Sequence, residues 1–132
     1  MRYRSLAAAV LSLILASCSP VAEAPPAPSE AASIGDVGDC FETTVVSVGP
    51  RLEGVPDSGS AITYETGLSQ IDYARVLGID NSRAGDRVRV CLVSVPENCP
   101  PGDDRGRVYT STNLRTNETW TAPDSQHSCG GA

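Results

Sequence analysis

Nine residues constrain the fold of this chain more than any others. From Arg87 to Val95 the sequence reads RVRVCLVSV, an alternation of period two. Successive side chains of an extended strand point to opposite faces, so Val88, Val90 and Leu92 share one face while Cys91, Val93 and Val95 share the other. Beyond Arg89 both faces are apolar, which predicts the central strand of a sheet.

Neighbouring stretches carry the same period. Phe41 to Val48 reads FETTVVSV. ITYE and LSQIDY flank Thr66 and Gly67, and RVYTSTNL and ETWTA flank Thr116 and Asn117. Gly67 and Asn117 can both supply the positive φ that tight hairpin turns need. Gly85 and Asp86 introduce the central strand, and NCPPGDDRG, residues 98–106, is a dense cluster of turn formers. Only Tyr73 to Ile79 can curl into a helical turn, and Gly78 limits it. The expected fold is all-β: a small disulfide-stapled barrel, open or closed, or a sandwich, of about five to seven strands. It starts near Ile34 and runs over residues 34–132.

The N-terminus is of another kind. Arg2 and Arg4 form a basic head, and Leu6 to Ala16 are apolar except for Ser12. Eleven helical residues cover about 16 Å, roughly half of a hydrocarbon core of about 30 Å, so the segment reads as a leader to be removed rather than a permanent span. It ends on Leu15, Ala16, Ser17 and Cys18, which resembles the lipobox of bacterial lipoproteins. That resemblance implies diacylglyceryl transfer to the Cys18 thiol and cleavage before it. Residues 1–17 would be the signal peptide and Cys18 the anchor, two acyl chains giving attachment that one chain gives only marginally. Ser19 stands where an aspartate marks inner-membrane retention in the enteric members of the family. The resemblance therefore implies an outer-membrane lipoprotein facing the periplasm, with the inner membrane and the cell surface as the alternatives. Residues 18–33, with SPVAEAPPAPSEAAS from Ser19 on, hold four prolines, five alanines and no aromatic residue. Their composition predicts a tether reaching on the order of 45 Å.

In an oxidising compartment the four remaining cysteines, Cys40, Cys91, Cys99 and Cys129, predict two disulfides. Four cysteines allow three connectivities, and spacing does not choose among them. The expected pairs are Cys40 with Cys91, tying the first strand to the central one, and Cys99 with Cys129, pinning the glycine-rich C-terminus to the proline loop.

Charge excludes one class of partner. The net charge is −6 and all ten basic residues are arginine. Loss of Arg2 and Arg4 with the leader takes the charge to about −8. Nucleic acid demands clustered cations, so none is expected as a partner.

The candidate chemical constellations are thin. Asp124, Ser125 and His127 hold the ingredients of a triad, but close neighbours in a tail do not align nucleophile, base and orienter. Cys91, Cys99, His127 and Cys129 lack the spacing of a zinc site. Asp80, Ser82 and Asp86, and Asp103 with Asp104, miss the pattern of a calcium loop and suit ordinary turns. Glu97 with Asp103 and Asp104 resembles a carboxylate pair without a visible cleft. No cofactor or metal is expected. What remains is surface on the last hairpin: Arg105, Arg107, Tyr109, Arg115 and Trp120, residue types that dominate binding hot spots. Trp120 is equally suited to anchor a core poor in aromatic rings, with the arginines at a rim. The chain thus reads as an envelope lipoprotein, held to the membrane through Cys18, that binds an envelope protein or peptidoglycan. The alternative is a small cell-wall hydrolase or cation-dependent enzyme.

Overall fold

The computed structural model describes residues 35–131. The leader, Cys18 and the tether lie outside the described residues. Six strands form one antiparallel sheet: β1 (Cys40–Leu52), β2 (Val55–Tyr64), β3 (Ser69–Asp72), β4 (Arg87–Ser94), β5 (Val108–Asn113) and β6 (Thr119–Pro123), in the order β3-β2-β1-β4-β5-β6. A single short helix, α1 (Leu77–Asp80), lies between β3 and β4. The all-β expectation holds, in the form of an open, curled sheet.

The long strand β1 organises the curl. Its first half, Cys40 to Thr44, pairs with β4, and its second half, from Val45, pairs with β2. The register shifts between Val45 and Ser47, leaving Val46 outside the ladder. A bulge bends the strand and increases its twist, so the sheet closes on itself until the edge strands β3 and β6 touch. The hairpins turn where the sequence predicts, with φ of 84° at Gly67 and 60° at Asn117.

β4 is interior to the sheet, but not for the reason its sequence suggests. Val88, Val90 and Leu92 are buried, whereas Val93 and Val95 are 44% and 42% exposed. The curled sheet has one covered face, and an antiparallel sheet leaves its other face to water. Inside lie Val45, Ile62, Tyr64, Ile79, Val88, Val90, Leu92, Tyr109, Trp120 and Ala122. Helix α1 contributes Ile79 to this core, and Gly78 lies so close that a Cβ there would sit 2.7 Å from Trp120 Cε3.

Both disulfides pair as expected. Cys40 and Cys91 are directly opposite residues of β1 and β4, and Cys99 joins Cys129 across the loop before β5.

Candidate functional site

The last hairpin divides its candidate residues between core and scaffold. Tyr109 and Trp120 are 4% and 5% exposed, and Trp120 Nε1 donates to Gln70 Oε1 at 3.0 Å. Both rings belong to the interior. Arg115 forks onto the buried Asp86, Nε to Oδ1 at 2.6 Å and Nη2 to Oδ2 at 2.8 Å. Asp86 also accepts from Asn113 Nδ2 at 2.9 Å and from the Arg83 amide at 3.0 Å. The Arg115 guanidinium, helped by these donors, holds the Asp86 carboxyl well below the usual aspartate range. Arg105 forks onto Asp103, both bonds at 2.8 Å, and Gly130 N donates to the same carboxylate at 3.0 Å. Arg107 lies 3.6 Å from Asp104. Arg105 and Arg107 precede β5 and Arg115 follows it, about 20 Å apart along the strand. The structure therefore does not gather the five residues into one patch.

The other constellations are occupied as well. Ser125 Oγ donates to the His127 carbonyl at 2.7 Å, and Asp124 accepts from Gly106 N at 2.8 Å. Ser82 Oγ donates to the Gly78 carbonyl at 2.8 Å and accepts from Asn113 Nδ2 at 2.8 Å. These side chains hold loops. Among the described residues, no cluster of histidine, cysteine and carboxylates has the geometry to hold a metal ion.

A different site emerges at the β1–β2 hairpin. An open cleft of about 500 Å³ runs along Val48, Gly49 and Pro50 of β1 and Val55 and Pro56 of β2, and is walled by Arg75, Asp80 and Ser82 around α1. Its volume falls within the range of about 300–1,000 Å³ usual for ligand sites. Gly49 opens the floor, since a Cβ added there meets nothing within 4 Å. The polar wall is positioned by a relay through the buried Ser60. Val76 N donates to Ser60 Oγ at 2.9 Å, and that hydroxyl donates to Asp80 Oδ1 at 2.7 Å. Asp80 Oδ2 accepts from Arg75 Nε and Nη2 at 2.9 and 2.7 Å. The Arg75 guanidinium also feels the exposed Asp57 carboxylate.

The segments that build the cleft carry four exposed apolar side chains: Leu52, Val55, Tyr73 and Leu77, the last 71% exposed. One face of the Tyr73 ring carries a cation. Arg51 Cζ lies 4.2 Å from its centroid, held by Ser58 O at 2.7 Å and Gln126 Oε1 at 2.6 Å. Sequence reasoning missed this site. Its residues come from two strands and a helical turn; the local signals are the density of glycine and proline between Gly49 and Gly59 and the oxygens of Asp80 and Ser82, which by sequence suit a turn.

Comparison with protein-family models, with curated proteins and with solved structures finds no match to this chain.

Proposed function

We propose that this protein is a bacterial envelope lipoprotein whose β domain is a binding module, carried on a tether from a lipidated Cys18. The cleft between the β1–β2 hairpin and α1 is the observation that carries this reading. It combines an apolar floor and wall, a pre-positioned Arg75–Asp80 pair and neighbouring exposed apolar side chains, the mixture that ligand sites use. The lipobox resemblance supports the anchor, and the composition of residues 18–33 supports the spacer.

A photo-crosslinking residue at Val55, in the full chain in living cells, tests the binding reading, with Arg107 and Arg115 as comparison positions. One dominant envelope protein or wall fragment captured at Val55 supports it. No adduct at Val55, together with loss of a wall-degrading activity in His127→Ala, would replace binding with enzymatic function. Cys18→Ser tests the anchor separately: the chain is expected to leave the membrane fraction.

A further inference from the structure

We infer that the cleft receives an extended, cationic peptide segment of a protein partner. Its apolar side chains would pack on Val48, Pro50 and Val55, and its guanidinium or ammonium group would reach the carboxylates beside Arg75. The inference rests on the cleft being the binding site.

Charge decides the sign of the partner. The segments that frame the cleft, residues 48–59 and 72–82, carry four carboxylates, Glu53, Asp57, Asp72 and Asp80, against two guanidiniums, Arg51 and Arg75, and Arg75 is already taken by Asp80 in a forked pair. Glu53 and Asp72 belong to the adjoining hairpin turn and β3. Across the described residues fourteen acids face eight arginines. A field of that sign draws cations and repels anions before contact. An anionic ligand would also have to displace Asp80, which already takes the planar fork that makes arginine a carboxylate or phosphate receptor.

Shape argues for a peptide over a sugar. Sugar-binding faces commonly offer an aromatic platform, whereas the cleft lining holds no aromatic residue and the nearby Tyr73 ring already carries Arg51. What the lining offers instead is branched and cyclic aliphatic surface at Val48, Pro50, Val55 and Pro56, with bare backbone at Gly49 and Gly54. Bare backbone permits the close approach of another main chain, and alternate side chains of an extended segment then meet pockets on either side.

The test uses the full chain in detergent and fluorescence polarisation of three labelled hexapeptides, alternating valine with arginine, with serine or with glutamate. The valine–arginine peptide is expected to bind roughly tenfold more tightly than the valine–serine peptide, and more weakly as salt rises. Gly49→Ile places a branched side chain on the floor from a Cβ that meets nothing within 4 Å and leaves the net charge unchanged; it is expected to abolish binding. Asp57→Asn is expected to weaken the arginine peptide several-fold and leave the serine peptide unmoved. Equal affinity for all three peptides, or preference for glutamate, with sensitivity to Gly49→Ile would overturn the cationic partner and leave the cleft standing. Arginine preference indifferent to Gly49→Ile would mean attraction to the acidic surface at large and would overturn the inference. If no peptide binds, the inference falls; the binding reading then survives only if the crosslinker at Val55 still captures a non-peptide ligand.

Discussion

Gln70 shows how much a single side chain can organise. It is fully buried on the edge strand β3, and its amide spans the seam where the sheet curls shut. Oε1 accepts from Tyr64 Oη at 2.7 Å, Ser111 Oγ at 2.5 Å and Trp120 Nε1 at 3.0 Å, while Nε2 donates to the carbonyls of Tyr109 at 2.8 Å and Ala122 at 3.1 Å. A buried donor without its acceptor costs about 1–3 kcal/mol. Gln70→Leu, close in size, is therefore expected to lower stability by at least about 3 kcal/mol, read as a fall in the urea midpoint. Nothing in LSQIDY marks this glutamine as interior, because Ile71 is the more apolar neighbour and points the other way. Tyr64 beside it titrates with the fold. Burial pushes its hydroxyl up to about 12, above the unfolded value near 10. The stability linked to this group is whole below pH 10 and is lost as pH rises toward 12. With no lysine in the chain, tyrosines dominate the alkaline limb, and Tyr109 shifts in the same direction through burial. Chemical denaturation between pH 9 and 12 is expected to show a decline that Tyr64→Phe flattens.

Elements are locked to one another by polar knots rather than by a thick core. Asp86 opens β4, Asn113 closes β5, Arg115 starts the last turn and Ser82 follows α1, and the four side chains bond in one cluster. Asp86 has its carboxyl depressed in the fold, so its contribution is complete above the ordinary aspartate range near 4 and is lost as pH falls below it. Acid unfolding of Asp86→Asn is expected to show a shallower limb below pH 4 than the parent. At neutral pH Arg115→Ala leaves the buried Asp86 carboxylate without its cation and is expected to lower the urea midpoint, less than loss of a fully buried partner would because the guanidinium is half-exposed. Two residues of this knot, Ser82 and Asp86, are visible in DNSRAGD, residues 80–86, where they read as turn formers or a cation loop. Their real partner lies about thirty residues downstream, across two strand crossings, and no local pattern carries that distance.

The described residues form a small one-layer sheet stapled at two places of unequal consequence. The Cys40–Cys91 bridge spans 51 residues and ties the two halves of the sheet, and Cys99–Cys129 spans 30 and holds the C-terminal segment against the proline loop. Loop-closure entropy assigns about 4 kcal/mol to each. Their structural roles differ. Paired alanine replacement of Cys40 and Cys91 is expected to lower global stability by about 4 kcal/mol. Replacement of Cys99 and Cys129 is expected to leave Trp120 fluorescence near that of the parent while limited proteolysis cuts within residues 97–106 or 125–131. No free thiol should be detected among these four cysteines before reduction.

By itself the sequence determined the strand period and the turn positions at Gly67 and Asn117, while for the four cysteines it left three connectivities open. The first two are short-range consequences of side-chain alternation and allowed φ. Only the tertiary structure decided which face of each strand turns inward, so that Gln70, Ser111 and Asn113 sit inside while Val93 looks out. It alone also brought Gly49, Val55, Arg75 and Asp80 around one cleft. The physical reason is the bend in β1: a bulge at Val46 sets the curl of the sheet, and the curl, a property of six strands together, selects the neighbours of every residue on it.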